Sequence, residues 1–492
     1  MRYLCLLVVV VVFTFGCAAE PDVEPLRMAY PHELVTMDPQ AHSDTMTRTV
    51  LSAVYENLVV LEPGLPVRAG LADRWTTPDD HSWHLHIREG VFFHDGRPLT
   101  PEDAVASINR ARSSMASGHQ LDEISNVREL PGDDRIIEIT TEDPAPLLLT
   151  RLESVPVVPL NFDPLVPVGT GPYEWQVGSI QGPIVLRRWE GYWAEPAEYP
   201  EVHIQFVPFQ EDVANLLHLG KLDVVASVSF SYVKDRGPIE HWRVIASPAV
   251  ATTYLGLNTS VPQLADVRMR EAVSLAIDRP HLVASVFPEG AAKPAFSLVP
   301  PEVFGYSPDH HHETVDLALA RQMLAAAGGH SGAPLKLVFP DRDALIAEHI
   351  LIDLTEIGIE VVGEALPYET FCRRVEAASS DLFLFNWTYR VADASKFLDT
   401  FVRSRDPVRG FGTFNCADLS DPEIDALIES AVIELVSAVR LEKLQAAVSK
   451  VVEQHVYLPL YKPSNLALVR EGVVAGTRGM PMLRPQDFRP AE

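Results

Sequence analysis

Arg390 stands where a permanent charge could do chemistry. It follows the stretch Phe385-Asn386-Trp387-Thr388-Tyr389, in which Phe385 and Trp387 fall at strand spacing, and it marks the point where an apolar run gives way to a loop. A guanidinium donates hydrogen bonds in a planar fork, accepts none and stays charged. Facing a cavity, it attracts a carboxylate or phosphate and repels an ammonium. Asp393, three residues on, offers the opposite charge. Trp387 and Tyr389 suit the apolar walls of a pocket, although plain core packing uses the same residue types.

Other candidate groups carry less. "GGHSGA" places Ser331 in a pattern like a nucleophile elbow, but Ala333 stands where the second glycine belongs. The segment also joins a helix to a strand, the reverse of the order that motif needs. His310, His311 and His312 are adjacent and cannot all point at one ion, so a solvated loop is expected there and no metal site. Asp79-Asp80 read as turn residues. No phosphate-binding loop, HExxH or CxxC is present. With no nucleophile–base pair or metal set to name, the chain is read as non-catalytic and cofactor-free.

The elements that must position these residues alternate between short strands and helices. Trp83, Leu85 and Ile87 alternate with His84, His86 and Arg88, which predicts a half-buried strand ending near the turn at Asp95-Gly96. Thr100, Pro101 and Asp103 predict a capped helix start. Residues 209–220 read as a helix ending at Gly220. Residues 266–283 read as an amphipathic helix with Val267, Ala272, Leu275 and Ala276 inward. A further helix ends at Gly328, and "LKLVF" and "IEVVG" flank another as strands. Ser420 and Glu423 form a capping-box pattern ahead of Leu441, Leu444, Val448 and Val451 on a long helix. The fold class is mixed α/β, without an internal repeat.

At 492 residues the chain exceeds one core and should divide into two or three domains. A formal charge of −27 argues against nucleic acid as a partner. The N-terminus has Arg2, an apolar run from Leu4 to Phe15 and a small-residue end, Gly16-Cys17-Ala18-Ala19. That run is shorter than the roughly 20 residues a spanning helix needs, so residues 1–16 read as a secretory signal. Cys17 after a small residue resembles a bacterial lipoprotein processing site, where it would carry lipid; Thr14 stands where leucine is usual. No other stretch is long enough to cross a bilayer. The remaining Cys372 and Cys416 could pair in an oxidising compartment.

The block "LADRWTTPDDHSWHLHIREGVFFHDGRPLTPEDAVASINRAR" (71–112) is similar to the signature of the extracellular solute-binding proteins of family 5, the oligopeptide- and dipeptide-binding group of ABC importers. "VGTGPYEW", "LRRWEGYW", "LGLNTSVPQLADVRMREAVSLAIDR" and "LSDPEIDALIESA" follow in the family's order. The resemblance implies a two-lobed periplasmic-binding-protein fold, class II-like (cluster C), with an extra domain inserted in the first lobe. It implies lobe I at 17–60, 169–253 and 464–492, the inserted domain at 61–168 and lobe III at 254–463. Ligand would sit between the lobes, bound by Trp387, Thr388, Tyr389, Arg390 and Asp393. The expected product is a monomer in the periplasm or outside the cytoplasm, lipid-anchored through Cys17, that passes a peptide or small polar solute to membrane permease subunits.

Peptide-binding relatives carry an aspartate where this chain has Arg390, and that carboxylate pairs with the ligand's α-ammonium. Three readings stay open. Arg390 faces the cleft and the ligand is anionic there, or Asp393 takes over the carboxylate role, or Arg390 turns to solvent or pairs with Asp393. Two rival functions remain beside import: a sensor or receptor component of the same fold, and, as the weakest, a secreted hydrolase.

Overall fold

The computed structural model describes residues 23–61, 67–114, 121–208, 210–308, 315–389, 392–476 and 483–491. The signal segment, Cys17, His310–His312 and Arg390 lie outside the described residues. The described part begins with β1 (Leu26–Tyr30) and α1 (Thr45–Leu51), the latter started by Asp44, whose carboxylate accepts the Thr47 N–H at 2.7 Å. A separate small body follows: β2 (Val59–Val60), β3 (Arg68–Ala69), β4 (Ala72–Asp79), β5 (Ser82–Ile87), α2 (Pro101–Arg112), β6 (Ile124–Glu129), β7 (Ile136–Thr141) and α3 (Leu148–Leu152). Its four-stranded sheet runs β4-β5-β7-β6. Along β5, Trp83, Leu85 and Ile87 are buried while the residues between them are half-buried, as the alternation predicts. Thr100 and Asp103 close the capping box that starts α2, and Arg97 reaches the same carboxylate at 2.9 Å. The core of this body, from Leu58 to Val157, is its own.

The chain then returns to β1 with β8 (Tyr173–Val177), β9 (Ile184–Arg188), β10 (Glu201–Phe206), α4 (Gln210–His218), β11 (Val224–Val228), α5 (Phe230–Arg236) and β12 (Trp242–Pro248). Two of the quoted sequence blocks explain the joint. Thr170 donates its hydroxyl to the Glu56 carboxylate at 2.9 Å, and Tyr192 and Trp193 donate to it at the same distance. Burial pushes the Glu56 carboxyl up from its usual range, and these three donors oppose the shift. Gly169 is required by close approach: a Cβ there would lie 1.9 Å from the Val54 carbonyl oxygen. His94 accepts the Gly169 N–H and faces the Gly171 carbonyl, and burial lowers its pKa to about 4, so the ring is neutral.

The opposite lobe holds β13 (Ala251–Leu257), α6 (Val267–Ala276), α7 (Arg279–Val286), β14 (Ala292–Pro294), α8 (Leu317–Ala326), β15 (Leu335–Pro340), α9 (Ala344–Glu356), β16 (Val361–Leu366), α10 (Tyr368–Glu376), β17 (Leu382–Thr388), α11 (Ala394–Phe397), α12 (Pro422–Val432), α13 (Ser437–Glu453) and β18 (Tyr457–Arg470). Short β19 (Val473–Ala475) and β20 (Phe488–Pro490) end the chain against the first lobe's core. Helices cover both faces of the sheet, so its strands are apolar on both sides: Leu382 and Leu384 enter one core, Phe383 the other.

Four local expectations change. The helix read over 266–283 is two, α6 and α7, broken where the Asp278 carboxylate caps α7 by accepting the His281 N–H. Val267 is exposed, because α6 begins there and its buried face starts at Met269. The cap of α12 is Asp421, not Ser420. Pro422 fixes the first helical position, and the Asp421 carboxylate accepts the N–H groups of Glu423 and Ile424. Cys372 and Cys416 are both free thiols.

One strand joins the halves. β18 pairs with β13 through Tyr457–Tyr461 and with β12 through Ser464–Arg470, so a single hydrogen-bonded path runs β16-β15-β17-β13-β18-β11-β1-β10-β9-β8. The other crossing beside it is the step from β12 to β13, where the Ala249 N–H bonds the Pro463 carbonyl at 3.2 Å. Away from these crossings, Leu435 in the α12–α13 turn packs against the small body's core.

Candidate interlobe binding site

Strand direction places the site. β11 runs antiparallel to β18, with Val224 opposite Val469 and Val228 opposite Leu466, so its carboxyl end lies toward the crossing at Pro463. β1 and β10 are parallel to β11 and end on the same edge. In the other lobe, β13 starts at the crossing, and Thr388 at the end of β17 sits opposite Ala251. β15 is parallel to β17, and β16 to β15. The carboxyl edges of both parallel sets therefore face one another across the crossings, and in open α/β sheets ligands bind outside such edges, where chain order reverses. β1, flanked by β10 and β11, is such a reversal.

The second lobe's wall carries the sequence candidates unevenly. Trp387 is half-buried, its ring 5.1 Å from Phe401 and 6.3 Å from Tyr389, and its indole N–H has no partner among the described residues. Thr388 is exposed at the edge. Tyr389 is 3% exposed, and its hydroxyl is engaged with the Tyr254 hydroxyl at 2.9 Å and the Leu298 carbonyl at 3.2 Å. Burial raises the pKa of this phenol.

Asp393 is buried. Its carboxylate takes Arg440 through two bonds of 2.6 and 3.0 Å and also caps α11 by accepting the Ser395 N–H and hydroxyl. Arg440 is an ion-pair partner of this carboxylate, and the four donors, three on one oxygen and one on the other, leave little of it for a ligand ammonium. Ser331 lies in an exposed loop between α8 and β15, and its carbonyl accepts from Gln263.

A residue not singled out from the sequence lies on the same edge. Arg342 follows β15 directly, its side chain 66% exposed and its guanidinium 4.9 Å from the Tyr368 ring centroid. It pairs loosely with the Asp343 carboxylate at 3.9 Å. Burial raises the Asp343 pKa, and the charges of Asp343 and Arg342 act on Tyr461 at the crossing, where burial has already pushed that phenol up to about 12. The signal was present in "LKLVFPDRD": a cation within two residues of a strand's carboxyl end.

Two lobes joined at adjacent crossings, with their carboxyl edges opposed, match what sequence comparison finds. The profile of the bacterial extracellular solute-binding proteins, family 5 (Middle), matches residues 66–407. The chain belongs to this family. The family 5 chain is 26% identical to "Probable di/tripeptide-binding protein 5" of Pseudomonas aeruginosa over 482 residues, 88% of this chain and 89% of the relative. It is 23% identical to "Glutathione-binding protein GsiB" of Escherichia coli, covering 88% of each. Its fold resembles that of the periplasmic murein tripeptide-binding protein MppA in an unliganded open form, at a TM-score of 0.83 and 19% identity, over 96% of this chain and 98% of that one. HbpA2 from Haemophilus parasuis gives the same TM-score at 21% identity, covering 95% and 100%.

Proposed function

We propose that this family 5 protein captures a small carboxylate-bearing solute, peptide-like in size, between its lobes and delivers it to the permease of an ABC importer. The observation that carries this reading is the opposition of two carboxyl strand edges across two adjacent crossings, with the exposed Arg342 guanidinium on one of them. Closure about Pro248–Ala251 and Lys462–Ser464 would bring the edges together. Only a ligand touching both lobes favours the closed state, which lets a transporter tell loaded from empty protein. The reading includes no catalysis. It divides the chain at 60, 168, 253 and 463, keeps the protein monomeric, and includes a signal at residues 1–16 and a lipid anchor at Cys17.

Support for a peptide-like ligand comes from the relatives' names, which specify di/tripeptides, glutathione and a murein tripeptide. The reading takes Trp387, Thr388 and, from the sequence, Arg390 as ligand-contacting residues, with the buried Tyr389 and Asp393 supporting that segment. A second reading, a non-peptide anionic solute, is favoured by Arg390 in the sequence: a guanidinium where peptide-binding relatives carry an aspartate suits an acid better than a zwitterion. Native mass spectrometry of the purified protein, followed by calorimetric titration of whatever solute is released, tests both. A solute without an acidic group, or one bound equally well by Arg342→Ala, would overturn the anchoring role of Arg342.

A further inference from the structure

A contact between the lobes lies away from the strand crossings. Leu435, in the turn between α12 and α13, is half-buried, and the core it joins is that of the small body. Its apolar neighbours Val432, Ile433, Val436 and Val439 are all exposed, so the burial is local to this one side chain. The turn that presents it is stiff. Glu434 accepts the Val436 N–H at 2.9 Å and pairs with Lys443 at 2.7 Å, while Lys443 also donates to the Ser430 carbonyl at 3.2 Å. Arg440 ties the turn's other side, its Nε donating to the Ala431 carbonyl at 3.1 Å.

The cleft stands open to solvent while this contact is made: Arg342 and Thr388 on one carboxyl edge are exposed, and so is Phe230 just past β11 on the other. Packed protein surfaces hardly compress, so a side chain already seated cannot be driven deeper when the lobes rotate. Rotation about the crossings also moves each point in proportion to its distance from the axis. A seat away from that axis must therefore slide or part as the edges come together. We propose that Leu435 is a counter-contact: seated on the small body, it favours the open arrangement, and a captured solute has to offset its loss before the lobes can close. This rests on the capture reading above and names a residue outside the binding wall that sets the affinity. It acts on the fraction of closed protein, by which the apparent affinity of a closure-dependent ligand is scaled.

The probe is the solute that native mass spectrometry finds released from the purified protein or, where none is retained, reduced glutathione, a carboxylate-rich tripeptide. Calorimetry compares the wild type with Leu435→Ala, Leu435→Asp and, as an exposed apolar control, Val408→Ala, with melting curves to establish that each variant folds. For a half-buried leucine, about half the effect of full burial is at stake, so Leu435→Ala should bind about 4–12-fold tighter than the wild type. Leu435→Asp should gain at least as much, because an unpaired carboxylate is driven off an apolar core. Val408→Ala should match the wild type. Tighter binding is not what a merely damaged lobe produces. Unchanged or weaker binding in folded Leu435→Ala and Leu435→Asp overturns the counter-contact. The gain should persist in the Arg342→Ala background, since that change removes a ligand contact and not a lobe contact, so failure of the Arg342 anchor leaves the counter-contact standing. A wild type that binds neither probe counts against interlobe capture, and methyl residual dipolar couplings, which report lobe orientation without ligand, then decide. An orientation shifted toward closure in Leu435→Asp supports the counter-contact, and the same orientation in both proteins overturns it.

Discussion

Replacing Asp393 separates a structural carboxylate from a ligand-binding one. Asp393 and Arg440 are each only 6% exposed at the side chain and are joined through two bonds of 2.6 and 3.0 Å. In Asp393→Ala the guanidinium stays buried with the Ala431 carbonyl, the Ser395 hydroxyl and the face of Phe304, and no carboxylate among the partners described. Breaking a buried pair in this way costs about 3–5 kcal/mol, because the remaining charge is uncompensated. At about 2–4 °C per kcal/mol for a folding unit of about 200 residues, the melting temperature should fall by about 6–20 °C. Adding Arg440→Met should restore most of that loss, since an apolar pair of similar volume can match a buried ion pair. Circular dichroism melting measures both, and calorimetry below the transition should find ligand affinity changed by less than about 2-fold. A melting shift under about 3 °C together with lost binding would refute the reasoning and return Asp393 to the ligand.

The remaining expectations concern the site, the lobe joint and pH. Arg342→Ala should weaken binding of a carboxylate-bearing solute about 10–150-fold, the range of about 1.5–3 kcal/mol for a charged hydrogen bond, with little change in melting because the side chain is exposed; calorimetry with the released solute reads it. Arg390→Asp should lose affinity for an anionic ligand and gain it for peptides with free amino termini, and unchanged profiles over one ligand panel would remove Arg390 from the site. Gly169→Ala should destabilise by about 1–3 kcal/mol in urea titrations, since its Cβ meets the fixed Val54 carbonyl. Burial raises the half-buried Glu153 carboxyl to about 7 despite Arg48 and Arg484 nearby. The folded state then holds this proton more tightly than the unfolded chain, so its contribution to stability is present below about 4.5 and is lost as pH rises through about 7. Melting curves of Glu153→Gln should be flatter over that window than those of the wild type.

Local rules made much of the scaffold legible. β5 could be read because one face of its sheet is covered and its period of two is clean. The α2 start could be read because the capping partners lie within four residues. The α12 cap was misplaced by one residue because Ser420 and Asp421 are both good caps, and the proline at 422 selects between them by geometry. Within the site, Trp387 and Thr388 came from a strand running out to an edge. Arg342 was passed over because a lone cation after a strand looks like a solvated turn until the strand's direction is known.

By itself the sequence determined the alternation of strands and helices, most of their starts and stops and the family resemblance, all of which depend on neighbours along the chain. Only the tertiary structure decided which charges are free. Asp393 and Arg440 are separated by 47 residues yet share two buried hydrogen bonds, while the Arg342 side chain stays 66% exposed beside a loose 3.9 Å pair with Asp343. A charge's availability is set by the groups that surround it in space, and those come from segments whose meeting depends on strand order and direction, not on spacing along the chain.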